Sequence, residues 1–156
     1  MSPSARRVQE ALEARGFGHL RVVELTASTR TAQEAAEAVG AKVGQIVKSL
    51  VFVGEKGAYL FLVSGQNRLD LRKAEALTGD PLRRATPEEV RALTGFAIGG
   101  VPPLGHTTPL PAFLDQDLLA HGEVWAAAGT PRALFRATPE ELLALTGAKV
   151  ADLKEA

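Results

Sequence analysis

The sequence predicts an α+β fold: a single compact domain over residues 1–156, with a mixed, largely antiparallel sheet flanked by short helices. Three observations carry that reading. Apolar stretches with strand character outnumber long amphipathic ones. Neighbouring apolar runs are joined by tight turns rather than helical crossovers, which favours antiparallel pairing. No Gly/Ser/Pro-rich linker divides the 156 residues, whose 46% hydrophobic and 23% charged content is that of an ordinary globular domain.

Ser2 and Pro3 open the first helix as N-cap and first helical residue, and Val8, Ala11 and Leu12 share its inner face before Gly16 stops it. His19–Leu25 reads as a strand. Thr31-Ala-Gln-Glu34 is a capping box for a second, Ala-rich helix that Gly40 ends in the left-handed conformation. Ile46–Val53, the turn Gly54–Gly57 and the run Ala58–Ser64 form a β-hairpin. Asp70 caps a short helix through Leu77, broken by Gly79-Asp80-Pro81. Ala85–Gly95 (ATPEEVRALTG) recurs as Ala137–Gly147 (ATPEELLALTG), the same at nine of eleven positions. Each copy is a short helix with Thr as cap, Pro at its first position and Glu closing the box. Two copies are too few for a solenoid. Extended pieces around Leu110–Phe113, Glu123–Ala128 and Arg132–Arg136 complete the sheet.

Composition narrows the chemistry. With no cysteine there are no thiol nucleophiles, disulfides or zinc ribbons, and a cytoplasmic location fits. No apolar run reaches the roughly 18 residues that span a bilayer, and the basic start lacks the apolar centre of a signal peptide. Eighteen Lys+Arg balance eighteen Asp+Glu, which argues against a non-specific polyanion binder but not against one local basic site. The spacings GxxxxGK(S/T), GxSxG and GxGxxG are absent. His19, His106 and His121 are too far apart for a metal site, so no metal is expected. Asp115-Gln-Asp117 marks a turn and helix start rather than a catalytic pair.

Lys48 resists a structural explanation. It interrupts the strand Ile46–Val53 on the face of Ile46, Leu50 and Phe52, while alternation turns Ser49 to the opposite face. A lysine there either snorkels to water, pairs with an anion or lines a cavity as a fixed cation. The segment Gly99-Gly-Val-Pro-Pro-Leu-Gly-His106 is the second feature. Its adjacent glycines expose main-chain N–H groups and its prolines stiffen the chain beyond them, which suits either an anion-binding loop or a tight connection. Basic residues gather at Arg68, Arg72, Lys73, Arg83 and Arg84, an ordinary solvated face that could also touch RNA phosphates.

Taken together, Thr31–Phe52, Leu62–Gly79 and Gly99–His106 resemble the YbaK/ProX family of aminoacyl-tRNA deacylases, related to the editing domain of bacterial prolyl-tRNA synthetases. The resemblance implies a cofactor-free hydrolase acting in trans on the ester of mischarged tRNA. Its partners would be the 3′ acceptor end of an aminoacyl-tRNA and prolyl-tRNA synthetase. The family's lysine matches Lys48 and its GXXXP loop matches Gly99–Pro103, so Lys48, Gly99, Gly100 and Val101 are the expected catalytic positions. Pro102, Pro103, His106, Ser64 and Gly65 are expected substrate contacts, and Arg68, Arg72 and Lys73 expected tRNA contacts. Alanine, serine and cysteine all remain open as the amino acid removed. A non-catalytic tRNA- or synthetase-binding module and a small-molecule binding domain are the competing readings.

Overall fold

A computed structural model describes residues 1–156. In chain order the elements are α1 (Pro3–Ala14), β1 (Val22–Glu24), α2 (Ala32–Val39), β2 (Ile46–Gly54), β3 (Ala58–Ser64), α3 (Leu71–Thr78) and β4 (Leu82–Arg84). There follow α4 (Pro87–Thr94), β5 (Ala112–Asp115), β6 (Val124–Ala127), β7 (Ala133–Ala137), α5 (Pro139–Thr146) and β8 (Lys149–Ala151). Single 3₁₀ turns precede β2 and follow β5. No helix is long and apolar enough to cross a membrane.

Local chemistry sets the helix starts. Thr31, Thr86 and Thr138 each accept a bond from the amide three residues on, and Glu34, Glu89 and Glu141 reach back to the cap amide. Ser2 caps α1 through Ala5 N, and Asp70 caps α3 through the amides of Arg72 and Lys73. The strand expected over His19–Leu25 is shorter. The side chain of Gln9 on α1 takes both Leu20 O and Val22 N, so the first half of that segment is bonded to a helix rather than to a strand. β5 likewise begins at Ala112 instead of Leu110, because Pro109 and Pro111 have no N–H to give a ladder.

All eight strands form one mixed sheet in the order β1-β7-β6-β2-β3-β5-β8, with β4 against the far end of β2. The pairs β1–β7, β2–β3, β2–β4 and β6–β7 are antiparallel, whereas β2–β6, β3–β5 and β5–β8 are parallel. The long connection through α3, β4 and α4 is what returns β5 parallel to β3. One face of the sheet, with Val47, Val51, Leu60 and Leu62, packs on Ala5, Val8 and Leu12 of α1 and on Val90 and Leu142. The other carries Phe52, Phe61, Val63 and Phe113 against Ala74 of α3 and Leu153. Phe61 stacks on Phe113 with centroids 5.4 Å apart, and Phe52 meets Phe61 edge-on at 5.8 Å. Each such fully buried side chain contributes about 1.5–3 kcal/mol, which pins β2 and β3 as the rigid centre of the molecule.

Candidate active site

β2 pairs with β3 along its length, but its other edge is interrupted. β6 covers Ile46 and Val47 and β4 covers Phe52–Gly54, so no strand stands beside Lys48–Val51 on that edge. Gly65 N bonds Ile46 O, and Gly54 N bonds Gly57 O. The alternation of an antiparallel pair therefore turns the peptide groups of Ile46, Lys48 and Leu50 toward β3, and those of Ser49 and Val51 toward the gap. Ala85 N occupies Val51 O at 3.1 Å. The amide and carbonyl of Ser49 face the gap itself.

A cavity of about 360 Å³ fills this gap. Ile46–Val51 form its floor; Thr29–Thr31 and the start of α2, Arg84 and Ala85, and Ile98, Gly99 and Val101 form its walls. Three cations, Arg30, Lys48 and Arg84, line it, and no carboxylate does. Because the cavity opens on a strand edge, it adjoins both faces of β2. Lys48 and Ser49 therefore both border it although their side chains leave the strand on opposite sides.

The Lys48 ammonium donates to Asn67 O in the loop after β3. That loop is fixed by a buried carboxylate. Asn67 Nδ2 donates to Asp115 Oδ2 and Asp117 Oδ2, each at 2.9 Å. Asp115, 1% exposed, also accepts from Ser64 N at 3.1 Å and Asp117 N at 2.9 Å. Burial pushes the Lys48 ammonium below the ordinary lysine range. The nearby Arg68 adds to that, the Asp115 carboxylate opposes it, and Arg84 again lowers it. Arg84 is oriented by its own neighbour, its guanidinium lying 5.6 Å from the Phe52 ring centroid.

The glycine/proline loop divides in two. Gly99, at φ 95°, is in the left-handed region that favours glycine, and Gly99 and Val101 face the cavity. Gly100 lies behind them. Its carbonyl accepts from Gly129 N at 2.9 Å, and a Cβ placed on it would stand 2.7 Å from the backbone of Thr130. Pro102 and Pro103 are buried, and His106 Nε2–H donates to Pro102 O at 2.6 Å. Burial lowers the His106 pKa, so at neutral pH the imidazole is an uncharged clamp on the loop.

The remaining expected contacts lie outside the cavity wall. Ser64 is buried, its hydroxyl donating to Gly44 O at 2.7 Å, and Gly65 sits against Val43 beneath β2. Arg68 and Arg72 are exposed, whereas Lys73 is engaged by Asp152 at 2.8 Å and Lys154 O at 2.7 Å. Conversely, Arg30, Arg84, Thr29 and Ser49 border the cavity although no sequence motif assigns them to it. The hydroxyls of Thr29 and Ser49 are buried and have no hydrogen-bond partner in the protein. Alternation correctly predicts the face of Ser49. Only the break in the strand's pairing brings that face to the cavity.

Residues 26–145 match the family model of the aminoacyl-tRNA editing domain. The chain belongs to the aminoacyl-tRNA editing domain family. A crystal structure described as a candidate trans-editing enzyme for prolyl tRNA synthetase is 83% identical with a TM-score of 0.97, covering 100% of this chain and 99% of that one. The α+β architecture of this chain is thus the editing-domain fold. YwhH of Bacillus subtilis, an uncharacterised protein, is 34% identical over 130 residues, 83% of this chain and 83% of that protein. EbsC of Enterococcus faecalis, named as a candidate Cys-tRNA(Pro)/Cys-tRNA(Cys) deacylase, is 29% identical over 125 residues, 79% of this chain and 76% of that protein. One relative of this chain is thus named as a candidate deacylase, in agreement with the YbaK/ProX resemblance of the sequence.

Proposed function

We propose that the chain is a trans-acting deacylase that hydrolyses the ester of a mischarged aminoacyl-tRNA, with tRNA-Pro as the carrier and prolyl-tRNA synthetase as the enzyme whose errors it clears. The observation that carries this reading is the cavity at the open edge of β2, where Lys48, Gly99 and Val101 meet with Arg30 and Arg84 and without any acid. The related trans-editing structure and the relative named as a deacylase support the same chemistry.

The residues define a division of labour. Arg30 and Arg84 are fixed positive charges at the walls and suit the 3′-terminal phosphate. Lys48, held by Asn67 O, and the Ser49 amide at the open edge stabilise the oxyanion that develops on the ester carbonyl. Water adds to the carbonyl carbon, the C–O bond to the ribose breaks, and the ribose oxygen leaves with a proton. No histidine or carboxylate lines the cavity, so the vicinal ribose hydroxyl or solvent carries the protons. An aminoacyl ester is already activated, and positioning with charge stabilisation suffices for its hydrolysis.

The test is a single-turnover deacylation panel on alanyl-, seryl-, cysteinyl- and prolyl-tRNA-Pro with wild type and Lys48→Ala. At least one mischarged substrate is consumed, and the variant is about 100- to 1,000-fold slower, the loss typical of removing an oxyanion donor. Equal rates for wild type and variant would remove Lys48 from the mechanism. No turnover of any substrate would leave a binding module instead.

A further inference from the structure

We infer that the groove beside Trp125 holds a nucleotide of the unpaired RNA 3′ end that precedes the terminal adenosine, its base against the indole and its phosphate at Arg136 and Arg21. The inference rests on the proposed deacylase reading for its ligand, although binding is measurable without turnover. It starts from the repeated segment. Both copies extend one residue back to an arginine, Arg84 and Arg136, and each arginine is the cross-strand partner of an aromatic residue. Arg84 lies 5.6 Å from the Phe52 ring centroid, and Arg136 lies 5.7 Å from that of Trp125. The first pair meets the cavity through Arg84. The second opens on a separate groove of about 510 Å³, bordered by Trp125, Arg136 and Arg21.

The sheet aligns cavity and groove. Residues two apart on a strand share a face, and partners in register project to the same side. Ile46, Lys48 and Phe52 thus share one face of β2, and Ile46 is in register with Trp125. The two arginine–aromatic pairs therefore stand on the face of Lys48, one toward each end of β2. On β6 and β7, Ala127 and Leu134 border the cavity. Trp125 and Arg136, two residues along the same strands, border the groove, a step of about 7 Å. Neighbouring nucleotides of one strand can bridge such a step. No aromatic side chain lines the cavity, so Trp125, partly exposed, is the stacking surface next to it on this face. Arg21 and Arg136 are 62% and 60% exposed and reach Glu13 and Glu123 at 3.5 and 3.4 Å, loose surface pairs that can exchange a carboxylate for a phosphate. The Glu141 carboxylate in the groove is already engaged by Thr138 N at 2.9 Å and His19 Nε2 at 2.8 Å. Because the cations arrive paired, stacking on the indole supplies most of the affinity, and it does so without choosing among bases.

Trp125 is the only tryptophan of the chain and supplies the readout. Indole fluorescence of the wild type is followed on adding the RNA tetranucleotide ACCA or adenosine 5′-monophosphate, and calorimetry compares ACCA binding by wild type, Trp125→Leu, Trp125→Phe and Arg136→Gln. The tetranucleotide quenches the indole, whereas the monophosphate, too short to span cavity and groove, does not. Trp125→Leu binds ACCA about fivefold or more weakly, the loss expected on removing a stacking aromatic. Trp125→Phe keeps an aromatic face and loses less, and Arg136→Gln also weakens binding. No quenching by ACCA, equal quenching by the monophosphate, or full ACCA affinity in Trp125→Leu overturns the inference. Should Trp125→Leu fail to fold, the wild-type quenching and the affinity of Arg136→Gln decide it. Quenching by ACCA in a protein that hydrolyses no ester would leave the groove standing and remove the deacylase reading, whereas hydrolysis without quenching would remove the groove alone.

Discussion

Gly100→Ala separates the two halves of the glycine/proline loop most sharply. The added methyl would lie 2.7 Å from Thr130 Cα and N and 2.8 Å from Gly129 C. All three are backbone atoms that cannot rotate aside. Relief requires the loop to move by more than half an ångström, roughly the shortfall from an ordinary 3.4 Å contact, and that movement stretches the 2.9 Å bond from Gly129 N to Gly100 O. Overpacking of this kind costs about 1–3 kcal/mol and the hydrogen bond about 1 kcal/mol more. The expected loss is therefore about 2–4 kcal/mol, or roughly 4–16 °C in Tm for a chain of this size. Urea unfolding with the m-value held as a control measures it. Gly57→Ala is the comparator, since nothing lies within 4 Å of its added methyl, and it should be neutral or slightly stabilising. Deacylation by folded Gly100→Ala should also fall, because Gly99 and Val101 move with the loop. A variant within about 0.5 kcal/mol of wild type, the range of an unconstrained surface change, would show that the loop does not pack on Gly129–Thr130.

Asn67→Ala removes the amide that bridges Asp115 and Asp117 and frees the loop whose carbonyl holds Lys48. It should lower kcat more than it raises KM and shift the Lys48 ammonium titration, read by ¹⁵N NMR, whereas a purely structural loss would leave that titration in place. At low pH the α4 capping box should weaken. Paired with Arg83 and the Thr86 amide, Glu89 is held at about 2 rather than 4.5, so its stabilising effect is complete above pH 4.5 and disappears as pH falls through 2. Arg83→Gln should raise the Glu89 carboxyl pKa in a ¹³C titration and move acid unfolding to higher pH; an unmoved titration would show that the ion pair does not form in solution.

Much of the fold is legible because its causes are local. The three Thr/Glu boxes, Pro3, Pro87 and Pro139, and the hairpin at Gly54–Gly57 depend on residues within a few positions of one another, and each forms as its chemistry requires. Lys48 is legible for the same reason, as a charge inside an apolar strand. What the sequence conceals is set by distant partners. β4 and β8 are three residues each and contain Arg83, Arg84 and Lys149, so they read as polar loops until β2 and β5 are placed beside them. The cavity is concealed most completely. It exists because β6 stops pairing at Val47 and β4 starts at Phe52, and no pattern within Ile46–Gly54 announces that break.

On the proposed reading, the gap also explains how a chain of zero formal net charge would address a polyanion. Arg83, Lys73, Lys154, Arg21 and Arg136 each have a carboxylate within 4 Å, so their charge is locally balanced. Arg30, Lys48 and Arg84 have none, and they converge on one opening from the loop before α2, the centre of β2 and the end of β4. A cationic site this small can neutralise few phosphates. Affinity for RNA should therefore fall only gently with salt, while discrimination comes from the walls rather than from the backbone charge. A deacylase of the kind proposed has to release correctly charged tRNA, and weak electrostatic capture combined with a selective pocket would keep its binding from outrunning specificity.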